Sequence, residues 1–130
     1  KLHSNKTFKL FQKRVSETKK NFHTFLNYAK KNRKKILGYA AAAKSITFLS
    51  YMNYHDGILK YVIDKNKLKI SKKIPGTKII IKDEKFIKKY KPDYIILFAW
   101  NLKKEVFSQL NYIKTWNSKF LTFVPKFKMF

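Results

Sequence analysis

Along the first third of the chain, Phe8, Phe11, Val15, Thr18, Phe22, Phe25 and Ala29 recur at alternating spacings of three and four, with lysines filling positions between them. That period places the apolar residues on one face of a helix, so the pattern predicts a long amphipathic helix. Four phenylalanines suit a broad core contact better than the narrow seam of a coiled coil, and the helix is expected to pack on its own domain. The polar run KKNRKK at residues 30–35 ends it. From there the pattern changes to short β-branched and aromatic runs at 35–39, 61–64, 78–81, 94–100 and 120–124, each of strand length. Between them, 41–53, 84–90 and 102–116 read as helices. Strands alternating with helices predict an α/β fold, built from right-handed βαβ units on a mostly parallel sheet of about five strands. The stretch YIILFAW is apolar throughout, as a strand buried on both faces should be. PGT at 75–77 and KPD at 91–93 mark turns before the third and fourth strands. The expected organisation is a leading helix over residues 1–35 and a single domain over 36–130.

Composition narrows the function classes. A chain of 130 residues can bury one respectable core, and 45% hydrophobic with 17% aromatic residues closes the low-hydrophobicity route to disorder. There is no cysteine, which removes disulfide frameworks, thiolate nucleophiles and zinc ribbons together and is compatible with a reducing, cytoplasmic location. The longest uncharged run, SITFLSYMNYH at 45–55, falls well short of the roughly 20 residues of a membrane span. No membrane partner is expected.

The formal net charge of +24 suggests a nucleic-acid binder held by phosphate contacts. Yet residues 1–65 hold 15 of the Lys and Arg and residues 66–130 hold 16, so no segment stands out as a footprint. Only Arg14 and Arg33 are arginines, whereas bidentate reading of phosphate or guanine favours the guanidinium fork. Lys, Asn, Ile, Phe and Tyr all have A/T-rich codons, so the lysine excess is read as compositional, with nucleic-acid binding kept as the lesser alternative.

In an open parallel sheet, ligands bind beyond the carboxyl ends of the strands. Three stretches are expected there: GYAAAAKS, DKNKLKISKKIPGT and AWNLKKE. In the first, Gly38 ends a strand and a helix follows, so backbone N–H groups could face a phosphate while Lys44 and Ser45 add a charge and a hydroxyl. The spacing departs from G-x-G-x-x-G at Ala40 and Ala43, and a plain strand-to-helix turn stays equally open. Asp64 follows Gly38 by 26 positions and is either a ribose-binding acid or an ordinary strand-end acid. Trp100 could stack on a base or sugar with Asn101 reaching its polar edge, or the pair could be a core ring and a helix cap. His3, His23 and His55 show no metal-ligand spacing, and Asp83 and Glu84 read as the favourable start of a helix. Ser45, Ser50 and Ser108 lack a nucleophile-elbow context. No catalytic constellation is expected.

GYAAAAKS, the later VID, the IPGT turn, LFAWN and the closing strand before Pro125 resemble, in order and spacing, the C-terminal domain of S-adenosylmethionine-dependent sugar C-methyltransferases. There the corresponding stretches read approximately GYGAxAKG or GYGAxAKS, a strand ending in VD, a KQG and PGT loop, and AWN. FQKRV at 11–15 resembles the family's F-x-x-R-V helix leading into the domain. The resemblance implies a Rossmann-like domain that helps hold a nucleotide sugar, typically dTDP-linked. It marks Gly38, Tyr39, Lys44, Asp64, Lys69, Trp100 and Asn101 as matching contacts, with Ala40 and Ser45 in the same loop. It also implies that S-adenosylmethionine and the catalytic base belong to another domain, so that no cofactor is expected in this chain and a catalytic domain in trans is an expected partner. On this reading the chain is a severed C-terminal domain that methylates nothing alone. Ala40 replaces the second loop glycine, Ile70 and Ser71 replace the Gln and Gly of KQG, and Ser50 and Asn53 also depart from the pattern. Polar ligand-side positions have drifted while the apolar framework persists, which predicts a retained fold with weakened binding. The remaining alternative is an interaction remnant whose first helix pairs with another chain or its own copy.

Overall fold

The computed structural model describes residues 4–39, 42–54, 57–74, 76–98, 103–124 and 127–130. Helix α1 (Ser4–Lys31) leads into β1 (Ile36–Tyr39), α2 (Ala42–Tyr51), β2 (Tyr61–Ile63) and β3 (Ile80–Lys82). Then follow α3 (Lys85–Tyr90), β4 (Tyr94–Leu97), α4 (Lys103–Gln109), a 3₁₀ helix (Asn111–Trp116), β5 (Lys119–Thr122) and β6 (Lys128–Met129). The six strands form one sheet in the order β3-β2-β1-β4-β5-β6. All pairings are parallel except β5 with β6, which is antiparallel. The mixed α/β fold with a mostly parallel sheet and a long leading helix is the one the sequence predicts. The additional strand is β6, a two-residue return too short to show a period.

Strand alternation sorts the core into two layers. Ile36, Val62, Ile81, Ile96 and Leu121 face α1 and α2, whose Phe22, Leu26, Ala29 and Leu49 are buried against them. Leu37, Tyr39, Ile63, Ile95, Leu97 and Phe120 face Ile87 of α3, Val106 of α4 and Leu110 and Ile113 beyond it. His23 fastens α1 to the end of α2 by donating Nε2–H to the Met52 carbonyl at 2.6 Å.

Two elements depart from their expected form. The helix predicted over 102–116 breaks after Gln109 and continues as a 3₁₀ helix. Leu110, Ile113 and Trp116 recur every three residues, the period that a 3₁₀ turn stacks on one side. Along α1, complete burial begins only at Phe22. Val15 and Thr18 are half-buried, Leu10 is 52% exposed, and the side chains of Phe8 and Phe11 lie outside the described residues. No helix among the described residues is long and apolar enough to cross a membrane.

Candidate functional site at the sheet's switch point

The chain crosses the sheet outward from β1 through β2 to β3, then returns to the other side of β1 and proceeds through β4 to β5. The boundary between β1 and β4 is therefore a topological switch point, and the crevice beyond its carboxyl ends is where open α/β sheets take ligands. Tyr39 and Leu97 are partners in register at that end. The chain leaves β1 after Tyr39 on one side of the crevice and β4 after Leu97 on the other. Lys44 and Ser45 stand in the first turn of α2, directly after the switch point. Ala40, Trp100 and Asn101 lie outside the described residues.

Gly38 lies within β1, paired with Val62 and Ile96, and not in the turn that follows. A Cβ at this position would overlap the Phe98 ring and approach Val62 Cγ2 at 3.0 Å, so the glycine is explained by packing between strands. Tyr39, the next residue, points to the opposite face. Its hydroxyl donates to Glu84 Oε2 at 3.1 Å. Burial first, then the charge of Glu84 and the hydrogen bond to it, push the Tyr39 phenol far above its ordinary range. It stays protonated, and it stays a donor.

Glu84 is the centre of a small network that local pattern did not reveal. Lys65 Nζ lies 4.0 Å from Glu84 Oε2 and donates to Gln109 Oε1 at 3.0 Å. Together these groups tie the end of β1, the loop after β2, the start of α3 and the end of α4. Burial and then Glu84 also raise the Tyr112 phenol. Glu84 has no motif around it, and its partner Tyr39 is 45 residues away. The one usable sequence signal is strand alternation, which sets Tyr39 on the face opposite Gly38.

Asp64 follows β2 and folds its own loop. Its Oδ1 accepts the Asn66 N–H at 2.9 Å, and Asn66 Oδ1 accepts the Leu68 N–H at 3.0 Å. Lys69 is half-buried in the same loop, where its N–H donates to the Asn66 carbonyl. From Ser71 the chain runs back antiparallel to β3, with Ser71 N–H bonded to the Ile81 carbonyl and Lys73 bridged to Ile80. Gly76 and Thr77 of the PGT turn consequently lie at the amino edge of the sheet. The stretch from Asp64 to Thr77, expected as one unit beside the ligand crevice, is divided between the two ends of β3.

A family model described as the C-methyltransferase C-terminal domain matches residues 1–125. The chain belongs to this family. No curated protein matches it. Among solved structures, UDP-D-quinovosamine 4-dehydrogenase from Vibrio fischeri is similar at 20% identity and a TM-score of 0.46, over 68% of this chain and 76% of that one. Within this C-methyltransferase C-terminal domain, Asp64, Asp83, Glu84 and Glu105 all follow carboxyl strand ends, four of the seven acids in the chain. Among the described residues no three His, Cys, Asp or Glu side chains converge on a metal site.

Proposed function

We propose that this domain binds and positions a nucleotide sugar, in the crevice between β1 and β4, for methyl transfer by a domain elsewhere. The carrying observation is the strand order, which sets the carboxyl ends of β1 and β4 side by side at one switch point, the strands after which the sequence continues into the rest of the family-like GYAAAAKS and LFAWN. In this reading the turn through Ala40 and the first turn of α2, with Lys44 and Ser45, face the diphosphate, where backbone N–H groups and an ammonium favour negative charge. Trp100 and Asn101 bound the nucleoside or sugar, and a dTDP-linked deoxysugar is the expected class. Lys69 reaches the ligand from the β2 loop, whereas Asp64, the candidate ribose-binding acid, also caps that loop.

S-adenosylmethionine supplies the methyl group in the full reaction and is assigned to a catalytic domain acting in cis or in trans. What this chain contributes is orientation, which lowers the entropic barrier for groups on that other domain. The cysteine-free composition suits work in the cytoplasm.

The test is a titration of dTDP, dTDP-glucose and UDP-glucose into the Trp116→Phe variant at near-physiological salt. Trp116 donates Nε1–H to the Pro92 carbonyl at the amino edge, so its replacement leaves Trp100 as the sole indole reporter. Quenching with thermal stabilisation, selective for the dTDP ligands and weakened by Lys44→Ala, is the expected result. A folded protein that responds to none of the three ligands overturns the proposal.

A further inference from the structure

Six large apolar side chains are exposed among the described residues, and three of them gather at one place: Tyr28 at 44%, Phe127 at 40% and Met129 at 44%. They flank a hollow of about 310 Å³ between α1 and the sheet edge at β6, which Asn21, Thr24 and Tyr94 also line. Met129 pairs with Leu121, one of the residues directed at α1. Strand alternation turns Met129, and Phe127 two positions before it, to that same side. Phe127 is held there by stacking on Phe123 at 5.1 Å. A fourth exposed residue, Leu10, stands eighteen positions before Tyr28, five turns at ~3.6 residues each, and so on the same side of α1. The exposed Arg14 and Lys31 flank that stripe on either side.

Single apolar side chains on a surface are ordinary, but a cluster of them along a hollow marks a contact face. Bounded by a helix on one side and a strand on the other, the hollow fits the ridge of a second helix laid alongside α1. Charge then selects the helix. α1 carries eight Lys and Arg against the single acid Glu17, so a second copy packed along it would set cations against cations. An acidic helix reverses the sign of that interaction. We propose that the outer side of α1 and β6 form a docking surface for an acidic amphipathic helix of another polypeptide. Its apolar ridge seats between Tyr28 and Met129, and its carboxylates face the cations of α1. Nucleotide-sugar binding at the β1–β4 crevice is not required for this contact.

The probe is a blocked peptide of three LEELEEE heptads, with leucines on one helical face and glutamates elsewhere, titrated into the full chain at ~150 mM salt and followed by amide chemical shifts. Saturable shifts at residues 10–31 and 127–129 are expected, with binding about tenfold or more tighter than by a peptide of the same composition in scrambled order. Tyr28→Ala/Met129→Ala should weaken binding about tenfold or more, as the loss of central apolar anchors implies. Tyr51→Ala/Leu68→Ala removes exposed apolar groups elsewhere and should leave the affinity unchanged; spectral dispersion verifies that both variants fold, and the comparison of peptides needs neither. Equal binding of the two peptides, or equal weakening by the two variants, overturns the docking surface. Sedimentation of the chain alone as a dimer that Tyr28→Ala/Met129→Ala dissolves assigns the face to a second copy. Binding to phosphatidylglycerol vesicles that the same variant loses assigns it to a lipid surface. Either result overturns the acidic helix.

Discussion

Gly38 shows how a residue that looks like part of a phosphate turn can be fixed by packing alone. Its neighbours across the strands leave no room for a methyl group, because the Phe98 ring covers the space a Cβ would take. Gly38→Ala should therefore destabilise the domain by about 1–3 kcal/mol through overpacking. Pairing it with Phe98→Leu should recover part of that loss. A double-mutant cycle by urea unfolding checks this, and strictly additive losses would show that the ring is not the obstacle. Tyr39 supports a second prediction. Its phenol ionises near 10.0 when unfolded and far higher when folded, since burial and Glu84 both penalise the phenolate. Above about pH 10 the unfolded chain thus holds fewer protons, and stability falls as pH rises. This contribution is fully present below about pH 10 and is lost on the way to the folded value. Lysine deprotonation acts in the same window, so the informative quantity is a difference: the unfolding midpoint of wild type should drop more steeply than that of Tyr39→Phe between about pH 9.5 and 11.

At the scale of elements, α1 is two helices in function although one in geometry. Its 28 residues span about 42 Å at ~1.5 Å per residue. Phe22, Phe25, Leu26 and Ala29 are buried, whereas Lys6, Lys9, Leu10, Lys13 and Arg14 are exposed. Phe22→Ala should cost about 3–5 kcal/mol, because the ring is wholly buried among Phe48, Tyr54 and Phe123. Leu10→Ala should change stability by under about 0.5 kcal/mol. Amide exchange divides the helix in the same way, fast before residue 15 and slow from 22 onward; uniform protection would contradict the division. The apolar period made this helix legible in the sequence, but a period names a face without saying how far the partner extends beneath it. The strands at 36–39, 61–63 and 94–97 were legible for the same reason, since runs such as ILGY and YIIL carry their own burial signal. The run from Ser71 to Ile74 was not. It pairs beside β3 through backbone groups that leave little trace in side-chain type, so the stretch from Asp64 to Thr77 was read as one unit at the carboxyl ends, although PGT is, as expected, the turn before the third strand. The strand order, and with it the switch point, did not follow from the alternation of strands and helices, and neither did the Tyr39–Glu84–Lys65–Gln109 network, because contacts between residues distant in sequence have no local period.

For the molecule as a whole, charge is the dominant unbalanced term. Thirty-one basic residues face seven acids, so at most a minority of the cations can be paired, as Lys65 is with Glu84 at 4.0 Å. Several lysines rest instead on aromatic rings: Lys35 over Tyr90, Lys82 over Tyr61 and Phe86, Lys88 over Tyr112, and Lys103 and Lys128 over Phe130. Such contacts stabilise each ammonium by roughly 0.5–1 kcal/mol at exposed sites without neutralising it. The folded state therefore concentrates like charge that the expanded chain holds further apart, and self-repulsion works against folding. Salt screens this repulsion, with a Debye length of about 10 Å at ~0.1 M, and there is little attractive pairing for the same salt to weaken. Raising sodium chloride from about 20 to 200 mM should then raise the thermal midpoint, the reverse of what a chain stabilised by surface ion pairs would do. A midpoint that falls with salt would mean that attractive pairs outweigh the repulsion.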